Sequence, residues 1–86
     1  MLRKDIEVKV KEILKNKFSI DIDNIENIDR ISLLDPYIGM MPRDLLTLFF
    51  DLQDTFNIKF DENDIIENRF DLYINIVNSI EKKQLA

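Results

Sequence analysis

Carboxylates are the most plentiful reactive groups in this 86-residue chain: 17 Asp and Glu stand against 12 Lys and Arg, with no His and no Cys. Paired carboxylates can divide acid and base roles, but that work needs a cleft and further catalytic groups, and the commonest general base and metal ligand, imidazole, is missing. Asp61, Glu62 and Asp64 crowd together at the head of a helical pattern. Their spacing predicts a helix cap and a solvated face rather than a catalytic pair. Asp21, Asp23 and Asp29 could collect a cation, yet they lack the Gly and the closing Glu of a calcium loop. The single glycine, Gly39, cannot make a phosphate-cradling loop, and without Cys neither a disulfide framework nor a thiolate metal site is possible. The expectation is a chain that is not an enzyme and that holds no metal.

The same composition bounds the rest. Eighty-six residues can bury one small core, so residues 1–86 are expected to form one domain. One Gly and two Pro argue against flexible linkers and a turn-rich β fold. A formal net charge of −5 disfavours binding to nucleic acid or to an anionic membrane through a basic patch. It suits docking onto a basic patch of a protein partner, and equally suits plain solubility. The start Met1-Leu2-Arg3-Lys4-Asp5 has no apolar signal core and no apolar run approaches spanning length. A soluble cytoplasmic protein without membrane insertion is the expectation.

Helical periodicity supplies the elements that must position any site. From Arg3 to Phe18, Ile6, Val10, Ile13, Leu14 and Phe18 recur on one face, with Val8 off the stripe. Ser19 to Pro36 is rich in Asp, Asn and Ser, which compete with the helical backbone for hydrogen bonds, so it reads as a long connection pinned by Ile20, Ile22, Ile25, Ile28 and Ile31. Pro42 to Phe56 is a second helix: proline suits a first helical position, and Asp44 in the first turn complements the helix dipole. Leu45, Leu48, Phe49, Leu52 and Phe56 make its main stripe, while Leu46 and Phe50 form an i,i+4 pair on another side. A helix apolar on two sides is either buried all round or binds something. Asp61 then caps a short helix from Glu62 to about Asn68, with Ile65 and Ile66 inward. Asp71 caps a last helix from Leu72 to about Lys83, with Leu72, Ile76, Val77 and Ile80 in the core and Lys82 and Lys83 at its negative end. The fold class is all-α.

Three long helices, one short helix and a long first connection suggest a four-helix bundle of the acyl carrier type. The local pattern resembles that family more closely. Acyl carrier proteins commonly read D-L-G-x-D-S-L, then apolar positions and acids, then L-E-x-x-F-x-I-x-I. Here Tyr37-Ile38-Gly39-Met40-Met41-Pro42-Arg43 leads to Leu52-Gln53-Asp54-Thr55-Phe56-Asn57-Ile58-Lys59-Phe60. Gly39 lies three residues before Pro42 and Phe56 fourteen after it, both at the family's distances from its attachment serine. Phe70-Asp71-Leu72 and Asn75 to Ile80 resemble the family's closing helix, with Asp71 in place of a capping threonine. The segment Pro42-Arg43-Asp44-Leu45-Leu46-Thr47-Leu48-Phe49-Phe50-Asp51-Leu52 resembles acyl-carrier-related proteins found with peptide maturation systems that act on bacteriocin-like peptides.

The departures decide what the resemblance implies. The family's D-S-L triplet is Met41-Pro42-Arg43 here, and a proline ring has no hydroxyl to esterify with phosphopantetheine. Ser19, Ser32, Thr47 and Ser79 all lie away from the start of the second helix, where a transferase would meet backbone N–H groups. The departure from the resembled pattern at Pro42 implies loss of cofactor attachment, and no cofactor is expected. The resemblance then implies a noncatalytic, carrier-shaped adaptor that meets a modification enzyme, a precursor peptide or a transporter component. Its expected contact residues are Gly39, Met40, Met41, Pro42, Arg43, Leu46, Thr47 and Phe50. Either methionine serves as an adaptable contact or simply covers the core. Arg43 meets a partner carboxylate or one of the chain's own acids, such as Asp51. The alternatives are a working acyl or aminoacyl carrier modified at an unexpected hydroxyl, and a small structural dimer; a monomer with at most weak dimerisation is expected.

Overall fold

A computed structural model describes residues 2–66 and 69–85. Among these the chain is all-α and forms a four-helix bundle: α1 Arg3–Phe18, α2 Pro42–Phe56, α3 Glu62–Ile66 and α4 Tyr73–Leu85, with a single 3₁₀ turn at Ile22–Asn24. No strand occurs among the described residues. The bounds of α1 and α2 are those the periodicity gives.

Local chemistry explains where the two long helices stop. Ser19 ends α1 in the left-handed region, at φ 58°, so that the Ile20 N–H reaches back to the Leu14 carbonyl at 3.0 Å. Asn57 ends α2 the same way at φ 52°, with the Ile58 N–H on the Gln53 carbonyl at 3.1 Å. Both turns satisfy carbonyls that a helix end leaves open. The Gln53 side chain then accepts the Phe60 N–H at 2.9 Å, holding the link between α2 and α3.

The core gathers Ile6, Val10 and Leu14 from α1, Leu48, Phe49, Leu52 and Phe56 from α2, and Tyr73, Ile76, Val77 and Ile80 from α4. Phe70 sits at its centre of aromatic contact, edge-on to Phe49 at 4.5 Å and to Phe60 at 4.6 Å. Ile20, Ile22 and Leu33 of the long connection are buried, and Ile25 and Ile28 pack partly against the core. Val8 is exposed.

The structure corrects three expectations at the C-terminal half. Helix α4 starts at Tyr73 rather than Leu72, since the Leu72 carbonyl already accepts the N–H groups of Asn75 and Ile76, both at 3.1 Å. Asp71 does not cap it. Its carboxylate lies 3.3 Å from the Arg69 guanidinium, and its backbone carbonyl accepts the Leu33 N–H at 2.7 Å, so it ties the long connection to α4. Burial works to raise the Asp71 carboxyl, but the Ser32 hydroxyl and Arg69 outweigh it and hold the group below the usual carboxylate range. Third, Ile65 is exposed rather than inward; α3 spans only the five residues Glu62–Ile66, little more than one helical turn. The side chain of Ile66 and the extension through Glu67 and Asn68 lie outside the described residues.

Ahead of α3 the carboxylates form the expected cap. The Asp64 N–H donates to Asp61 at 3.0 Å and the Asp61 N–H to Asp64 at 2.8 Å. Lys83 of α4 closes on Asp64 at 2.8 Å, joining the short helix to the last one.

Candidate partner-binding site

The segment before α2 is built from turns that its own side chains close. Ser32 accepts the Leu34 N–H at 3.1 Å, and Asp35 accepts the Tyr37 N–H at 2.9 Å. The Asp35 carbonyl takes the N–H groups of Ile38 and Gly39 at 2.9 and 2.8 Å. Gly39 stands at φ +87°, a conformation L side chains rarely adopt, while nothing lies within 4 Å of where a Cβ would be. Glycine is therefore required for its backbone angle and not for space.

Met40 and Met41 then part company. Met40 is only 4% exposed and its N–H binds the Leu33 carbonyl at 3.2 Å, so its side chain belongs to the core. Counting Met40 among the surface contacts is thus incorrect: in extended chain, neighbouring side chains point to opposite sides, and the pinned backbone sends this one inward. Met41 takes the outward place at 54% exposure.

Pro42 is the first residue of α2. Asp44 folds back so that its carboxylate accepts the Met41 N–H at 3.0 Å, and the Asp44 and Leu45 N–H groups both reach the Met41 carbonyl, at 2.9 and 3.1 Å. This is one arm of a capping box, the methionine side chain taking no part. Of the first four residues of the helix only Arg43 has a backbone N–H without such a partner.

Along α2, Arg43, Leu46, Thr47 and Phe50 are all exposed and share one face. Leu46 is open to 52% and Phe50 to 57%, whereas Leu48 and Phe49 beside them are buried. Asp51 is occupied by Lys17 at 2.9 Å and not by Arg43. Among the described residues Arg43 has no carboxylate within 4.0 Å. The structure thus brings Pro42, Arg43, Leu46, Thr47 and Phe50 together on α2, with Gly39 and Met41 in the segment leading to it. The same face has one further exposed member, which the sequence reading does not include: Asp54, one helical turn beyond Phe50. Its i+4 spacing from Phe50 is the signal that marks it.

The other hydroxyls are differently placed. Thr47 donates to the Arg43 carbonyl at 3.1 Å, and Ser79 is 6% exposed inside α4. Among the described residues, no group of three or more His, Cys, Asp or Glu is arranged to hold a metal ion. No described helix is long and apolar enough to cross a membrane.

No protein-family model matches this chain, and no curated protein matches it.

Proposed function

We propose that this chain is a noncatalytic adaptor with the shape of an acyl carrier protein, one that presents the start of α2 to a protein or peptide partner in a cytoplasmic peptide maturation system. The observation that carries the reading is at Pro42. An imino acid begins α2 where the resembled family keeps its attachment serine, and the face continuing from it carries Arg43, Leu46 and Phe50 in the open. The four-helix bundle and the long, internally bonded connection into α2 support the same reading.

The surface has the makings of a contact site. Leu46 and Phe50 leave roughly 200 Å² of apolar area exposed between them, taking about 200 Å² for each whole side chain. Covering it is worth about 5 kcal/mol before the costs of association are subtracted. Arg43, with no carboxylate within 4.0 Å among the described residues, offers a planar guanidinium to a partner carboxylate.

Affinity capture with chemical crosslinking, comparing wild type with the Leu46→Ala/Phe50→Ala double variant, tests this. A partner recovered by wild type should be lost or reduced at least about tenfold with the variant, while helical circular dichroism stays unchanged. Equal recovery of that partner by both proteins would remove α2 from the interface.

A further inference from the structure

We infer that the exposed face of α2 also pairs with itself, two copies of the chain meeting through antiparallel α2 helices about a two-fold axis. The face is self-complementary. Its exposed stripe runs Arg43, Leu46 and Thr47, Phe50, Asp54: a cation at one end, apolar groups in the middle and an anion at the other. Turning a second copy end for end sets Arg43 level with Asp54 of that copy, and Thr47 level with its Phe50. Leu46 then falls within about 1.5 Å, along the axis, of the level of the second Phe50. A two-fold interface must match a surface to itself in this way, and each charge pair occurs twice.

The signs of the two charges add a second argument. Arg43 lies in the first turn of α2 and Asp54 in the last, the reverse of what the helix dipole favours at each end. Within the chain neither is compensated: among the described residues, no oppositely charged side chain lies within 4.0 Å of Arg43 or Asp54. The flanking acids are otherwise engaged, Asp51 with Lys17 and Asp44 with the Met41 N–H. Across the two-fold axis both unfavourable charges acquire an opposite partner.

The pairing is weak by construction. Leu46 and Phe50 with their polar neighbours cover about 400–500 Å² per copy, so about 800–1,000 Å² in all, below the usual range for a stable complex. Each copy also carries a formal net charge of −5, which opposes approach. The dimer is a reversible one, populated at roughly 0.1–1 mM. Because it covers Leu46 and Phe50, it also excludes any other occupant of the same face.

Sedimentation velocity on four samples decides it: wild type, Arg43→Glu, Asp54→Lys, and an equal mixture of the two variants. Both reversals suit the helix dipole and lie on the surface, so circular dichroism should show both folded. Wild type should dimerise reversibly. Each variant alone should associate at least about tenfold more weakly, because like charges then face each other twice. The mixture should recover association to within about threefold of wild type, since both charge pairs are restored only between unlike chains. A wild type monomeric to 1 mM, variants that dimerise as wild type does, or a mixture that stays monomeric would each overturn the pairing. None of these results touches the capture of a foreign partner, which the Leu46 and Phe50 comparison judges separately.

Discussion

Two adjacent phenylalanines in α2 should respond very unequally to the same truncation. Phe49 is 6% exposed, with its ring edge-on to Phe70 at 4.5 Å and to Phe60 at 6.2 Å. Phe49→Ala removes that burial, leaves a cavity and breaks both aromatic contacts, so it should cost about 3–5 kcal/mol. Phe50 is 57% exposed. Phe50→Ala forfeits only partial contact and gains about half a kcal/mol of helix propensity, leaving a net change within about 1 kcal/mol. The whole domain holds about 4–13 kcal/mol. Phe49→Ala should therefore lower Tm by at least about 12 °C, with Phe50→Ala shifting it by far less. Urea unfolding followed by circular dichroism, with equal m-values for the two variants, gives the comparison directly. If Phe50→Ala cost as much as Phe49→Ala, Phe50 would be part of the core, and the exposed face on which the functional reading rests would not exist.

Further outcomes follow from the geometry. Gly39→Ala should destabilise by about 1–2 kcal/mol through backbone strain alone, whereas D-alanine, introduced by synthesis, should be neutral or slightly stabilising; urea midpoints of the two proteins measure both. The Asp64–Lys83 pair should contribute about 0.5–1 kcal/mol at neutral pH. Burial works to raise the Asp64 carboxyl, but the Lys83 hydrogen bond and charge and the Asp61 N–H outweigh it, holding it below its ordinary 3.8. The hydrogen bond to Asp64 raises Lys83 above 10.5 against its own desolvation. The pair's contribution is therefore present between those two values, lost as pH falls through the lowered carboxyl and lost as pH rises through the raised ammonium. A Lys83→Met variant should differ in stability from wild type across that window and converge with it beyond both ends; a difference independent of pH would refute the pairing.

Much of this fold could be read from periodicity and punctuation. Pro42 at a first helical position, and the Asp-, Asn- and Ser-rich run that opens at Ser19, mark the start of α2 and the end of α1 as the apolar stripes mark their inner faces. The exposed pair Leu46 and Phe50 was visible for the same reason. What could not be read depends on tertiary contact. Which methionine turns inward follows from the backbone bond between Met40 and Leu33, in a stretch that has no helical period. Asp71 looks like a cap in sequence but is drawn off by Arg69 and the long connection. Asp51 lies eight residues from Arg43 in the chain, yet it pairs with Lys17 from another helix. The 3₁₀ turn at Ile22–Asn24 depends on Asp21 accepting the Asp23 N–H at 3.2 Å, a local bond too short-ranged for periodicity to reveal.

The adaptor reading stands on the absence of a hydroxyl where α2 begins. Its sharpest test is intact-protein mass spectrometry, first on the chain purified from the cells that make it, then after incubation with coenzyme A and a broad-specificity phosphopantetheinyl transferase. Both samples should show the mass of the bare polypeptide. An added phosphopantetheine in either sample, on any residue, would contradict the adaptor reading.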